Sequence, residues 1–220
     1  MKYKTTTAML ILFVVAAWLV SCVDVPSNGP TPPEFNSEFR FVNAAKDLGS
    51  VTLTVDGQSQ GTLDYMGATG HAVYPSGNRV AVLSNGDTLN VAMTTDQRAT
   101  VVLLPKSGAS REFAKLIERR TFDPSSTPTA RVRLFHAATA GDIDVTVAGA
   151  DTSVTKSLAF KDNSGYLNIP AGSYTISVFA SGDTTAMATT TISATNIRQT
   201  TIIGGDASAG SVDLINLSDE

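Results

Sequence analysis

The chain has 220 residues, with 16 Lys and Arg against 20 Asp and Glu, and a formal net charge of −4. This acidic balance argues against a nucleic-acid partner, which would require a basic face, and against attraction of a polybasic segment to anionic lipid. The single cysteine excludes a disulfide within the chain and a cysteine-rich zinc site, so hydrophobic packing must stabilise the fold.

The first residues have the pattern of a secretory signal peptide that ends in a lipid attachment site. Lys2 and Lys4 precede an uncharged, largely apolar run over residues 8–20, which is shorter than the ~20 residues that span a bilayer. The run ends in Leu-Val-Ser-Cys, which resembles the bacterial lipobox. We predict cleavage between Ser21 and Cys22 and lipid on Cys22. The alternative is an ordinary signal cleavage site with a chance cysteine beside it.

A proline-rich segment follows the predicted signal peptide, which occupies residues 1–21. Residues 22–37 contain four prolines, and proline lacks a backbone donor and fixes φ, which excludes a helix or a central strand. The segment is expected to form a semi-rigid tether of roughly 45 Å at about 3 Å per residue. Because several acyl chains hold a protein firmly on a membrane, we expect a membrane-anchored lipoprotein of the cell envelope. Where the cell has two membranes, we expect the protein in the outer membrane. The sequence is compatible with a position on its cell-surface face and with a position on its periplasmic face.

The remainder of the chain repeats its own landmarks. The matched segments are FRFVNAA with VRLFHAA, SVTLTVDG with DIDVTVAG, and RATVVL with RQTTII. The order is kept while the spacing drifts by a few residues, as expected for two diverged copies, and the period is too long for a solenoid. We predict domains over 38–120 and 131–220, joined by a linker over 121–130 that contains Pro124 and Pro128.

Alternation of apolar and polar residues predicts strands in both copies. Residues 51–55, 143–147 and 174–178 alternate strictly, and turn signals such as Asp56-Gly57 separate such runs. About seven short strands per copy predict an all-β chain of two tandem immunoglobulin-like β-sandwich domains. Residues 111–120 show helical spacing of apolar residues, but the corresponding segment of the second copy alternates. We therefore predict a closing strand there.

One set of residues in the second copy follows the pattern of a known family. The set is Arg133, His136, Ala137, Asp144, Val145, Val147, Gly149, Phe160, Tyr166, Pro170, Ala171, Gly172 and Tyr174. It resembles the bacterial domain-of-unknown-function family numbered 4397. The first copy departs from the pattern, with Asn43 in place of the His, His71 in place of the turn Tyr and Arg79 in place of the second Tyr. The resemblance implies an envelope protein, often lipid-anchored, with no established chemistry.

The sequence offers few residues for catalysis or metal binding. The two histidines, His71 and His136, occupy different positions in the two copies, so the copies share no histidine site. Neither a Gly-x-Ser-x-Gly elbow nor a His-Glu-x-x-His motif occurs. We expect His136 to be a hydrogen-bonded structural residue, and we predict no catalytic, cofactor-binding or metal-binding residue and no cofactor.

Other polar residues have structural interpretations beside functional ones. Asp142 and Asp144 could supply oxygen ligands to calcium, but solvated strand carboxylates are the simpler interpretation. Arg40 and Arg133 stand between apolar neighbours and are expected on solvent-exposed faces. The threonine-rich residues 184–201 are expected on an exposed face, where sugar binding is the alternative.

These features predict a cell-envelope protein that acts as a binding protein or as a spacer or scaffold, and that is not an enzyme. The membrane is contacted through lipid on Cys22, no nucleic acid is bound, and the sequence does not identify a protein or glycan partner. The alternative is a hydrolase or an accessory domain of an envelope enzyme complex. That alternative requires a concave pocket around His136 with a nearby acid and a hydroxyl group.

Overall fold

The computed structural model describes residues 35–106, 111–118, 129–139, 141–195 and 197–219. The predicted signal peptide, Ser21, Cys22 and most of the predicted tether and linker lie outside these residues. The described residues form two halves, which we call half 1 (residues 35–118) and half 2 (residues 129–219).

Each half contains eight strands among its described residues. Half 1 has β1 (Asn36–Asn43), β2 (Val51–Val55), β3 (Gln58–Leu63), β4 (Ala72–Pro75), β5 (Gly77–Leu83), β6 (Thr88–Met93), β7 (Arg98–Leu103) and β8 (Phe113–Glu118), with a 3-10 helix at Lys46–Leu48. Half 2 has β9 (Thr129–His136), β10 (Ile143–Ala148), β11 (Ser153–Leu158), β12 (Asn163–Pro170), β13 (Gly172–Ala180), β14 (Ala186–Ala194), β15 (Arg198–Asp206) and β16 (Ser211–Ser218).

The strands form two four-stranded sheets in each half, with the same topology in both. We call the sheets β4-β1-β7-β8 and β12-β9-β15-β16 the inner sheets, and the sheets β3-β2-β5-β6 and β11-β10-β13-β14 the outer sheets. The central pair of each inner sheet is parallel, β1 with β7 and β9 with β15. The register is also equivalent, because Arg40 pairs with Thr100 and Arg133 pairs with Thr200. The sequence repeat is therefore matched by a structural repeat.

The predicted alternation places one apolar face of each sheet in a sandwich core. In half 1 the core includes Phe39, Leu53, Leu83, Val91 and Val101. In half 2 the core includes Val132, Val145, Ile176, Ile192 and Ile203. The turn predicted between β2 and β3 has positive φ at Asp56 (49°) and Gly57 (81°), as a two-residue hairpin of type I′ requires.

A third apolar cluster joins the two inner sheets. It contains Val42 and Val102 of half 1 and Phe135, Ala137 and Ile202 of half 2, all essentially inaccessible to solvent. Strands β1, β7, β9 and β15 are consequently buried on both faces, which is unusual for a strand of a sandwich that faces water on one side. The described residues from Phe35 onward form one compact unit.

The expected all-β class with two sandwiches is confirmed, with eight strands per half where about seven were expected. The strand predicted within residues 111–120 is present as β8, in place of the helix that its apolar spacing allowed. Strand β1 begins at Asn36 and β9 at Thr129, two residues before each domain was expected to start. Among the described residues, no helix is long and apolar enough to cross a membrane.

Candidate functional site

A buried polar cluster lies between the two inner sheets. Its centre is formed by Arg40 and Arg133, which are only 6% and 5% exposed. The expectation that these two arginines face solvent was therefore wrong. Each points away from the core of its own sandwich, but the inner sheet of the other half covers it.

Arg40 binds groups of both halves. Its Nε donates to Thr100 Oγ1 at 2.8 Å, and its Nη1 donates to the backbone oxygen of Ser218 in half 2 at 2.6 Å. Its Nη2 lies 3.2 Å from Glu118 Oε1 and 2.7 Å from Asp219 Oδ1. The guanidinium thus bridges a carboxylate of each half.

Arg133 makes the corresponding contacts from half 2. Its Nε donates to Thr200 Oγ1 at 3.0 Å, and its Nη1 donates to the backbone oxygen of Ile117 in half 1 at 2.9 Å. Its Nη2 lies 3.6 Å from Asp219 Oδ2, and its guanidinium stacks over the Tyr166 ring at 4.7 Å. The two arginines therefore repeat one pattern, in which each reaches a backbone oxygen at the last strand of the other half.

The two carboxylates of the cluster have no exposed side-chain surface. Glu118 is hydrogen-bonded to His71 Nε2 at 3.0 Å and accepts a short hydrogen bond from Thr100, and Arg98 Nε lies 3.4 Å away. Burial alone would raise the pKa of Glu118. The hydrogen bond with His71 and the charge of Arg40 outweigh burial and hold that pKa below its ordinary value.

Asp219 occupies the equivalent place in half 2. It accepts hydrogen bonds from Tyr166 Oη at 2.7 Å and from Thr200 Oγ1 at 2.6 Å. Burial and the neighbouring Asp219 charge raise the pKa of Tyr166, so the phenol stays protonated as a donor. His71 and Tyr166 stand at matched positions of the sequence repeat. His71 is hydrogen-bonded to Glu118, and Tyr166 is hydrogen-bonded to the equivalent carboxylate Asp219.

This cluster is built for holding the halves together. Its acids and arginines satisfy one another, and a buried ion pair that loses one member leaves an uncompensated charge. Such networks gain little net stability over apolar packing, but separating the inner sheets would leave these buried charges without their partners. The cluster therefore opposes separation of the inner sheets.

His136 ends β9 and is fully buried. Its Nε2 donates to Gly141 O at 3.0 Å and its Nδ1 accepts from the Ala138 N–H at 3.3 Å, which are the hydrogen bonds of the expected structural histidine. Burial lowers the pKa of His136, so the ring is neutral at pH 7. The backbone occupies both ring nitrogens, which leaves neither positioned as a general base.

Asn43 makes the equivalent pair of hydrogen bonds with the backbone in half 1. Its Nδ2 donates to Gly49 O at 2.8 Å, and its Oδ1 accepts from the Ala45 N–H at 3.1 Å. One donor and one acceptor thus pin the loop after the first strand in each half. The sequence repeat aligned these two positions, but only the structure shows why an amide and an imidazole are interchangeable there.

Asp142 and Asp144 are not assembled into a cation site. Asp144 accepts a short hydrogen bond from Ser157 and another from the Gly182 N–H at 3.0 Å, and these bonds lower its pKa. In the part of the chain that the structure describes, no group of three His, Cys, Asp or Glu side chains could hold a metal ion.

The threonine-rich residues 184–201 divide between two strands. Those on β14 and in the turn before it are mostly exposed, as expected, whereas Thr200 and Thr201 on β15 are fully buried. For the last two, the expectation of an exposed face was wrong. Thr200 belongs to the polar cluster, and Thr201 donates to Asn216 at 3.1 Å.

Cavities lined by described residues include two small ones. One, of about 230 Å³, lies at the seam between the halves and is lined by Lys46, Asp47, Pro105, Lys106, Thr139, Gly205 and Asp206. Its carboxylates are committed elsewhere, Asp47 to Arg111 at 2.7 Å and Asp206 to the turn that follows it. The other, of about 140 Å³, lies at one end of half 2, where Tyr174 donates to Pro170 O at 2.9 Å.

Comparison with known families supports the resemblance noted for half 2. Residues 130–220 match a family model described as a domain of unknown function, DUF4397. The matched residues coincide with half 2 and contain the motif that carried the resemblance. No curated protein matches the chain.

Proposed function

We propose that this protein is a lipid-anchored scaffold or binding protein of the cell envelope, with no catalytic role of its own. Cys22 carries the lipid, the proline-rich residues 22–34 act as a tether, and halves 1 and 2 form the body that the tether holds away from the membrane. The signal-like start and the lipobox-like residues before Cys22 support the anchor.

The observation that carries the scaffold role is the polar cluster between the inner sheets. Arg40 and Arg133 each cross from one half to the other, and the apolar cluster beside them is continuous across both sheets. A body joined in this way has no internal hinge, so its far end keeps a fixed distance and orientation relative to the tether. Rigid spacing is what a scaffold requires.

We further propose that half 1 is a diverged second copy of the same family domain. The equivalent strand order, the parallel central pair and the matched roles of Arg40 and Arg133 support this assignment. Divergence at Asn43 and His71 leaves their hydrogen-bonding functions unchanged, which explains how the sequence match fades while the fold persists.

The anchor is tested by metabolic labelling with palmitate in a bacterium that has two membranes. We expect the full chain to be labelled and to fractionate with the outer membrane, and we expect the Cys22→Ala variant to be unlabelled and absent from the outer membrane. Ser27→Ala, in the same segment, is the matched control and should behave as wild type. Label retained by Cys22→Ala would contradict the anchor.

The non-catalytic role is tested separately, on the purified chain without its signal peptide. We expect no turnover in a broad screen of ester, glycoside and peptide substrates. The His136→Asn variant is the suitable control, because Asn43 shows that an amide preserves the bonds at this position. Turnover that this variant abolishes would overturn the proposal.

A further inference from the structure

The contacts between the two halves follow a two-fold pattern, as in an isologous dimer. Arg40 of half 1 donates to Ser218 O of half 2, and Arg133 of half 2 donates to Ile117 O of half 1. Ser218 and Ile117 lie at the ends of the equivalent strands β16 and β8. In such an interface the same surface is used twice, so each half is in principle complementary to a copy of itself.

The turn before β4 in half 1 and the turn before β12 in half 2 also cross the interface reciprocally. Tyr65 Oη donates to Asp213 at 3.0 Å, and Lys161 binds Glu112 through a short ion pair. Met66 and Lys161 occupy equivalent places, since both have positive φ, 55° and 73°, in these turns.

The two-fold pattern is broken at a packing contact between Met66 and Gly204. Met66 lies against Gly204, where an added Cβ would stand 2.7 Å from Met66 Sδ and 3.3 Å from the Ala44 oxygen. The position of half 1 that matches Gly204 in the sequence repeat is Leu104, which is fully buried in the same apolar cluster. One half therefore presents a large side chain and the other presents the space that receives it.

We propose that Met66 and Gly204 make this self-similar surface selective for the pairing of unlike halves. Two copies of half 1 would place Met66 against Leu104, which has no room for it. Two copies of half 2 would place the charged Lys161 beside the Gly204 space that Met66 fills. The interface thus accepts one partner, the complementary half, and disfavours a like half from a second copy of the chain.

This selectivity matters wherever many copies lie side by side, because every chain carries two related surfaces. Pairing within the chain is favoured by the high effective concentration of linked halves. Specificity is increased by an element that penalises the wrong pair, and the Met66–Gly204 contact supplies one.

The first test is a double-mutant cycle in the intact chain, read by thermal unfolding. Gly204→Ala should lower the unfolding midpoint because its methyl group meets Met66, and Met66→Ala should lower it because a space is left. The double variant should lose clearly less than the sum of the two shifts, since each change relieves the other. Gly70→Ala is the control, because nothing lies within 4 Å of a Cβ there. Additive shifts would refute the proposed contact.

The second test measures selectivity directly. A protease site is placed within residues 119–128 of the full chain, the folded protein is cleaved, and the products are unfolded, refolded together and weighed by native mass spectrometry. We expect pairs of unlike halves almost exclusively. Like pairs in random proportion would overturn the proposal, and so would halves that refold without pairing.

Gly204→Ala in the cleaved protein should weaken the unlike pair by about tenfold in its dissociation constant, the effect of roughly 1.4 kcal/mol, and Met66→Ala should restore most of that loss. An unchanged dissociation constant in Gly204→Ala would show that the contact does not select the partner. Because neither test uses the lipid or the membrane, their failure is distinguishable from failure of the anchor.

Discussion

At the scale of single residues, equivalent positions in the two halves make the same hydrogen bonds with chemically different side chains. His136 and Asn43 each offer one donor and one acceptor to the loop that follows the first strand. The imidazole differs from the amide in one respect, which is that it can be charged by a proton. Burial lowers the pKa of His136 from its ordinary 6.5, so the folded state resists that proton.

This difference predicts a pH effect on stability. The unfolded state takes up a proton near pH 6.5 and the folded state only at lower pH, so the stabilisation is complete above pH 6.5 and declines as the pH falls. We expect the unfolding free energy of wild type to fall by up to about 1.4 kcal/mol per pH unit between the two pKa values. His136→Asn should show a flatter profile between pH 7 and pH 5 in urea titrations. Equal slopes for the two proteins would contradict the buried neutral histidine.

The burial of Arg40 and Arg133 could not be predicted from alternation alone. Alternation indicates which side chains point away from the core of their own sandwich, but it does not indicate which part of the protein covers them. A second signal was available in the sequence. The segments that became β1 and β7 carry apolar residues on both faces, which indicates a strand covered on two sides.

At the scale of elements, the β class, the alternating strands and the turn at Asp56-Gly57 could be predicted, because they depend on short-range patterns. Strand β8 illustrates the limit of such patterns, since the apolar spacing of Phe113, Leu116 and Ile117 suits a helix. Pairing with β7 decides the outcome, and the alternating residues of the corresponding segment in half 2 were the only indication of it. The pairing of the two inner sheets had no short-range signal of comparable strength.

The end of β8 is the element that we expect to be most sensitive. Glu118→Gln removes a buried carboxylate and leaves Arg40 and Arg98 beside a neutral amide. We expect a loss of about 3–5 kcal/mol in unfolding free energy, the usual cost of breaking a buried pair. Asp56→Asn is the matched control in the same half. It breaks the partly exposed Arg79–Asp56 pair at 3.0 Å, and should cost only about 0–1 kcal/mol.

Denaturant titration followed by circular dichroism measures both variants. The comparison isolates burial, because each change converts a carboxylate into an amide of nearly the same shape. Equal losses in the two variants would show that the cluster between the inner sheets contributes no more than a surface pair.

At the scale of the whole molecule, two sandwiches with separate cores share a third core and a polar cluster. Half 1 and half 2 could each unfold alone only by exposing Val42, Val102, Phe135 and Ile202 and by leaving the arginines without partners. Unfolding of either half alone therefore costs the additional free energy of exposing this shared apolar surface. Cooperative unfolding of the pair is therefore favoured over two independent transitions.

A core substitution far from the interface tests this coupling. Leu53 is fully buried on β2, in the outer sheet of half 1, and Leu53→Ala should cost about 2–5 kcal/mol. We expect hydrogen exchange read by mass spectrometry to show the same drop in denaturant midpoint for peptides of both halves, because half 2 loses its partner when half 1 unfolds. Ile176→Ala, in the outer sheet of half 2, is the reciprocal variant and should give the mirror result. If peptides of half 2 keep their midpoint in Leu53→Ala, the halves unfold independently, and the interface cannot make the body rigid under load.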